Sequence, residues 1–263
     1  MFKFQENYNY FMPAHFGGYE GHPKPCVYDD VTSIVISYET DPAMLAKYIP
    51  EGFELTYPVV AIAYVMNRGV DWMAGGNYNL ICVQSPVVYS HGKERLEGLY
   101  VLAVWENKTE PILPGRETTG IPKIFAEIED HRQLGDRFFT NASYEGSAFL
   151  KMDFKKTREM TPEELATRNQ QNKLNWFGWR YIPNIGRPGA ALSHATLYPL
   201  ESVFSAGWVG VGTVKWEATT WEQHPMQAHI INALGQLPIK SYVACEMTLK
   251  KQILRNDIAR QLP

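Results

Sequence analysis

Lys123 is the residue of this chain whose setting could do chemistry. It follows Pro114-Gly115-Arg116-Glu117-Thr118-Thr119-Gly120-Ile121-Pro122 and opens the apolar run Ile124-Phe125-Ala126. Pro122 fixes one backbone dihedral and Gly120 permits a tight bend, so the spacing predicts a lysine presented from a stiff turn. An ammonium drawn into apolar surroundings loses solvation and its pKa falls, until the free amine can attack a carbonyl carbon. The ordinary alternative is a surface lysine whose stem covers apolar neighbours. The local pattern leaves both open.

A Schiff-base site also needs a pocket and a proton shuttle. Glu246, on a strand-like stretch beside an apolar face, is the expected acid or base; its competing role is a surface ion pair with Lys215 or Lys240. Arg116 and Glu117 could hold a substrate carboxylate, or could brace the turn by pairing with each other. Arg68, in a loop with Trp72, is a further candidate cation, and Tyr78 a candidate pocket wall or proton donor. His15 and His22 have no carboxylate or cysteine at ligand spacing, so no metal is expected. The chain has no Gly-x-Gly-x-x-Gly or P-loop motif, which argues against a nucleotide cofactor, and no serine nucleophile elbow.

Most of the elements that must position these groups read as strands. They are Thr32–Ser37, Val59–Met66, Leu80–Tyr89, Leu99–Trp105, Phe125–Glu129, Phe138–Tyr144, Ala148–Phe154, Val209–Trp221 and Ser241–Leu254. Asp41-Pro42 and Thr161-Pro162-Glu163-Glu164 predict two helix starts, the first helix running to about Tyr48. Residues 67–79 read as a loop with a Gly75-Gly76 turn. Leu174–Gly189, with its Trp176-Phe177-Gly178-Trp179 cluster, reads as a loop-bearing edge whose aromatics serve packing. Gln223–Leu234 carries no strong strand signal. Residues 1–30, aromatic and without periodicity, read as an irregular arm lying over the body or a neighbouring subunit. With no linker or repeat, one mostly β domain over residues 1–263 is expected, a barrel or a sandwich.

The run Gly115-Arg116-Glu117-x-x-Gly120-x-Pro122-Lys123 resembles the signature of the acetoacetate decarboxylase superfamily. Ser37-Tyr38-Glu39-Thr40-Asp41-Pro42, Ile49-Pro50-Glu51-Gly52-Phe53-Glu54 and Leu237-Pro238-Ile239-Lys240 resemble further family segments. The resemblance implies a closed antiparallel β-barrel with a few peripheral helices, α+β overall and mainly β. It also implies a homo-oligomer, and a cofactor-free lyase in which Lys123 forms an imine with a small carbonyl compound. In the family's decarboxylases a second lysine follows the first, a like-charge neighbour being the known device there for activating the amine. Here that position is Ile124, leaving desolvation by Ile121, Ile124 and Phe125. Two family pocket glutamates fall by spacing on Ala63 and Leu80, and a pocket arginine falls near Val31. An apolar pocket of this kind favours aldol condensation and dehydration over decarboxylation. The alternatives are an acetoacetate-type 3-oxo acid decarboxylase and a non-catalytic small-molecule-binding barrel.

Composition agrees with this class. The 263 residues are 45% hydrophobic and 20% charged, with net charge −3, which gives no basic footprint for nucleic acid. No apolar run reaches the ~18 residues of a membrane span. Three cysteines without Cys-x-x-Cys spacing point to a reducing compartment rather than a disulfide framework. A soluble, cytoplasmic protein without a signal segment is expected.

Overall fold

A computed structural model describes residues 1–263. In the arm, β1 (Tyr8–Asn9) bridges β2 (Tyr19–Glu20), and Phe2, Phe4, Tyr10 and His15 pack on one another. The body begins with β3 (Cys26–Glu39), α1 (Pro42–Ala46), β4 (Phe53–Leu55), β5 (Val59–Val70), β6 (Gly76–His91) and β7 (Glu94–Glu106). Next come α2 (Thr109–Thr119), β8 (Lys123–Phe125), β9 (Arg132–Leu134), β10 (Arg137–Tyr144), β11 (Ser147–Glu159) and α3 (Pro162–Gln170). The chain ends with β12 (Lys173–Pro183), β13 (Ala190–Trp216), α4 (Ala228–Gly235), β14 (Ser241–Leu254) and β15 (Arg260–Gln261).

The main sheet runs β12-β7-β6-β5-β3-β14-β13, and β13 also pairs β12, so these strands form a ring. Around the ring the contacts are antiparallel except between β12 and β7, where Trp176 and Phe177 run parallel to Leu99 and Tyr100, and off the ring β8 also pairs β7 in parallel. Strand β13, 27 residues long, continues past the ring to pair β11, which joins β10 and β9 as a flanking sheet.

The ring strands are apolar on both faces because both are covered. On one face, Ile34, Ile36, Ile62, Tyr64, Ile81 and Trp105 pack against Phe138 and Phe149 of the flanking strands and Ile231 of α4. On the other, inner face, a second cluster holds Tyr28, Val31, Ala63, Tyr78, Leu80, Cys82, Val104 and Tyr198. At about 25 cal/mol per Å² of apolar surface removed from water, these two clusters dominate the stabilisation of the fold.

Local signals set the helix starts. Asp41 accepts from the Met44 amide with Pro42 at the first helical position, and α1 ends at Ala46, short of the expected Tyr48. Thr161 and Glu164 form a reciprocal capping box. Other expectations give way. The edge expected over Leu174–Gly189 is largely β12, with Phe177 fully buried, because its aromatic cluster is paired in register with β13. The strand expected over Val209–Trp221 is the far end of β13, which starts at Ala190 and stops at Trp216. The loop predicted over 67–79 shrinks to a short 3-10 turn at Asp71–Met73, since β5 reaches Val70 and β6 starts at Gly76. The silent Gln223–Leu234 stretch contains α4. No helix is long and apolar enough to cross a membrane.

Candidate active site

Lys123 sits where a helix end meets two strands. Helix α2 carries the first part of the motif, through Thr119, although Pro114 lies inside it. It stops at Gly120, whose φ of 67° is left-handed and which has no room for a side chain: a Cβ there would stand 2.6 Å from the Arg180 amide nitrogen. The Gly120 carbonyl accepts from the Trp179 amide, and the Thr119 carbonyl accepts from the Thr196 hydroxyl at 2.6 Å. The turn is thereby pinned to β12 and β13. After Pro122, Lys123 pairs alongside Val104 and Ile124 alongside Trp105.

Paired residues share a face of a sheet and successive residues alternate. Lys123 therefore lies on the inner face with Val104, Cys82, Ala63, Val35 and Glu246, which the ladders place on one rung. The adjacent rung carries Glu106, Leu80, Val65, Ser33 and Thr248. Next come Tyr78, Asn67, Val31 and Lys250.

The Lys123 side chain is 8% exposed and reaches past Gly115, where a Cβ would come within 2.5 Å of its Cδ and 2.9 Å of its Nζ. A helical glycine costs about 1 kcal/mol relative to alanine; here it makes room for the lysine. The ammonium donates to the Pro111 carbonyl at 3.0 Å and lies 3.0 Å from Oε1 of Glu106. Glu106 is fully buried, and no neutral donor reaches either of its oxygens. Burial holds its carboxyl above the ordinary range, with the Lys123 charge acting in the opposite direction. Burial also raises the Tyr28, Tyr78 and Tyr198 hydroxyls and the Cys82 thiol, and the Glu106 charge adds to each shift. Tyr78 donates to the Tyr28 oxygen at 3.2 Å, and Trp72 donates to the same oxygen at 3.3 Å.

Of the residues singled out in the sequence, Lys123, Ala63, Leu80 and Tyr78 share the inner face. Glu246 shares that face at the far side of the ring, and the others lie elsewhere or are held by other partners. Ile124 and Phe125 do not line it: Ile124 packs on the opposite face and Phe125 is 40% exposed, because strand alternation turns Ile124 away from Lys123. Arg116 is exposed and donates to the Lys123 carbonyl at 2.9 Å, so it braces the turn, and it makes no ion pair with Glu117. Arg68 is held by Asp130 and by the Asn79 side chain. Glu246 is claimed by Arg168 of α3 on both oxygens, while Lys215 pairs with Glu217 and Lys240 with Asp41. The carboxylate beside Lys123 is therefore Glu106 and not the expected Glu246. Its one signal in the sequence is an acid ending the apolar run Leu99–Trp105. Two surface grooves of about 460 and 320 Å³ lie elsewhere, and Lys123 lines neither.

A ring of β-strands with a buried lysine–carboxylate pair on its inner face defines an amine-centred site. The chain belongs to the acetoacetate decarboxylase (ADC) family, whose pattern it matches over residues 11–254. An acetoacetate decarboxylase of Burkholderia cenocepacia (strain HI2424) is 33% identical over 107 residues, so the match spans 41% of each chain. The solved acetoacetate decarboxylase of Legionella pneumophila superposes with TM-score 0.75 at 20% identity, covering 94% of this chain and 91% of its own. The enduracididine biosynthesis enzyme MppR complexed with pyruvate superposes with TM-score 0.71 at 14% identity, covering 95% of each chain.

Proposed function

We propose that this chain is a cofactor-free lyase that forms an imine between Lys123 and a small oxo acid, ketone or aldehyde. The observation that carries this reading is the Lys123 ammonium, buried on the inner face with the Glu106 carboxylate at 3.0 Å. A carboxyl held above its ordinary range is a better proton acceptor for the adjoining ammonium than an ordinary carboxylate. Glu106 takes one ammonium proton, and the freed amine bonds to the carbonyl carbon. The carbonyl oxygen receives that proton and then a second from the nitrogen, relayed by the same carboxyl, and departs as water. The iminium left behind is the electron sink for the next bond change.

Condensation with dehydration is favoured over loss of CO2. The positions that the resemblance assigns to pocket glutamates are Ala63 and Leu80, packed in the apolar inner cluster. MppR, of similar fold, was solved with pyruvate bound, which supports an oxo acid as substrate. The pairing of β12 with both β7 and β13 supports a closed barrel. Exposed Phe4, Met12, Phe16 and Tyr19 on the arm support a homo-oligomer.

Borohydride reduction in the presence of pyruvate, 4-oxopentanoate or butanal, followed by intact mass and peptide mapping, tests the reading. The expected result is a substrate-sized adduct on Lys123, absent from Lys123→Ala. A folded protein that traps none of these carbonyl compounds removes the imine and leaves a binding ring.

A further inference from the structure

The inner face carries a second cation that imine formation leaves unused. Lys250 on β14 stands directly opposite Val31 of β3, and Val31 stands opposite Asn67 of β5. Lys250 and Asn67 therefore flank the short Val31 side chain on the face that holds Tyr78, Leu80 and Ala63.

Neither donor has an acceptor within the protein. Glu246, two inner-face positions along β14, is bound through both oxygens by Arg168. The half-buried Lys250 ammonium has no ion pair and no hydrogen bond to the protein, and it lies over the Phe204 ring, 5.6 Å from the centroid. Asn67 is 2% exposed and its Nδ2 has no acceptor. A buried amide donor without an acceptor is disfavoured. Burial lowers the Lys250 pKa to about 8, with Glu246 opposing the shift and Arg168 adding to it, so the side chain remains mostly charged at neutral pH.

Two donors without a protein acceptor thus stand on either side of one small aliphatic side chain, on the same face of the sheet. We propose that Lys250 and Asn67 form an anion subsite over Val31 that holds the substrate's carboxylate and selects oxo acids over neutral ketones, a proposal that rests on the Lys123 imine. The family resemblance places a pocket arginine near Val31; here the cation arrives from the neighbouring strand. The carboxylate is held, not cleaved, and no bond changes at this subsite.

Calorimetric titration with butanoate, which has no carbonyl to react, reads the subsite by itself. Lys250→Met should weaken binding at least ~10-fold, as loss of a charge-assisted hydrogen bond implies, and Asn67→Leu by ~3- to 10-fold. Lys250→Arg should retain binding. Borohydride trapping then compares 4-oxopentanoate with pentan-2-one. The oxo acid should half-saturate the wild-type protein at a ~10-fold lower concentration, and Lys250→Met should erase that gap with the ketone unchanged. Butanoate binding that is absent, or equal in wild type and Lys250→Met, overturns the subsite. So does an equal loss of ketone trapping, which marks a packing effect. Butanoate binding that depends on Lys250, with no adduct on Lys123, keeps the subsite and removes the imine.

Discussion

One rung of the inner face begins at Lys123, crosses Val104, Cys82, Ala63 and Val35, and reaches Glu246. A charged pair stands at each of these two positions, and the pairs differ in kind. Arg168 and Glu246 keep side-chain exposures of 35% and 24% and are joined through both oxygens. Lys123 and Glu106 are nearly dry, meet through one oxygen, and have only the Pro111 carbonyl as further support. A solvated bidentate pair ties α3 to β14 and asks little of its surroundings. A buried pair with incomplete hydrogen bonding gains little from folding, because desolvation offsets most of the Coulomb attraction. The second arrangement leaves an amine next to a carboxyl that can exchange protons with it.

Glu106→Gln tests the largest consequence of this difference. Turnover should fall by ~10²–10⁴-fold, the usual contribution of a positioned acid–base group, with Lys123 still open to slow trapping. Glu246→Gln, which disturbs only the exposed pair, should change turnover far less. Equal losses in the two variants would erase the distinction.

Gly115→Ala comes next. A Cβ at 115 collides with Lys123 along its stem, so the amine must move by about an ångström, which costs on the order of 10²-fold in rate. Alanine improves helix propensity by about 1 kcal/mol, so circular dichroism should show an intact fold. Unchanged trapping would show that the lysine does not need the slot.

The smallest effect is a pH dependence of stability at Lys250. Its folded pKa of about 8 lies below the model-compound 10.5, so between those values the unfolded chain binds more protons than the native one. Stability contributed by this group therefore rises with pH across that window and is lowest below it. Urea unfolding between pH 7 and 11 should show the rise in wild type, whereas Lys250→Met should lack it and be the more stable protein at pH 7. A wild-type curve without the rise would mean that Lys250 is solvated or paired.

Much of the frame was legible locally. The Asp41-Pro42 and Thr161–Glu164 caps act within one turn, and alternation along Ser241–Leu254 is a property of the strand itself. Lys123 stood out because glycine and proline around it constrain the backbone wherever the turn ends up. Partners lie on a different level. Glu106 is seventeen positions before Lys123 and meets it only because β8 docks parallel to β7. Glu246 looked available because Arg168, its partner, belongs to a different element. Ile124 looked like pocket lining until the pairing of β8 with β7 set which side Lys123 faces.

The sequence by itself determined the strand-rich class, the two capped helices and a glycine- and proline-held lysine, since each depends on backbone preference and short-range periodicity. Only the tertiary structure decided that Glu106, rather than Glu246, stands beside that lysine, and that Lys250 and Asn67 flank Val31. The physical reason is register. One residue of slip in any ladder would turn these side chains to the opposite face, and register is set by how both faces of the ring are buried together.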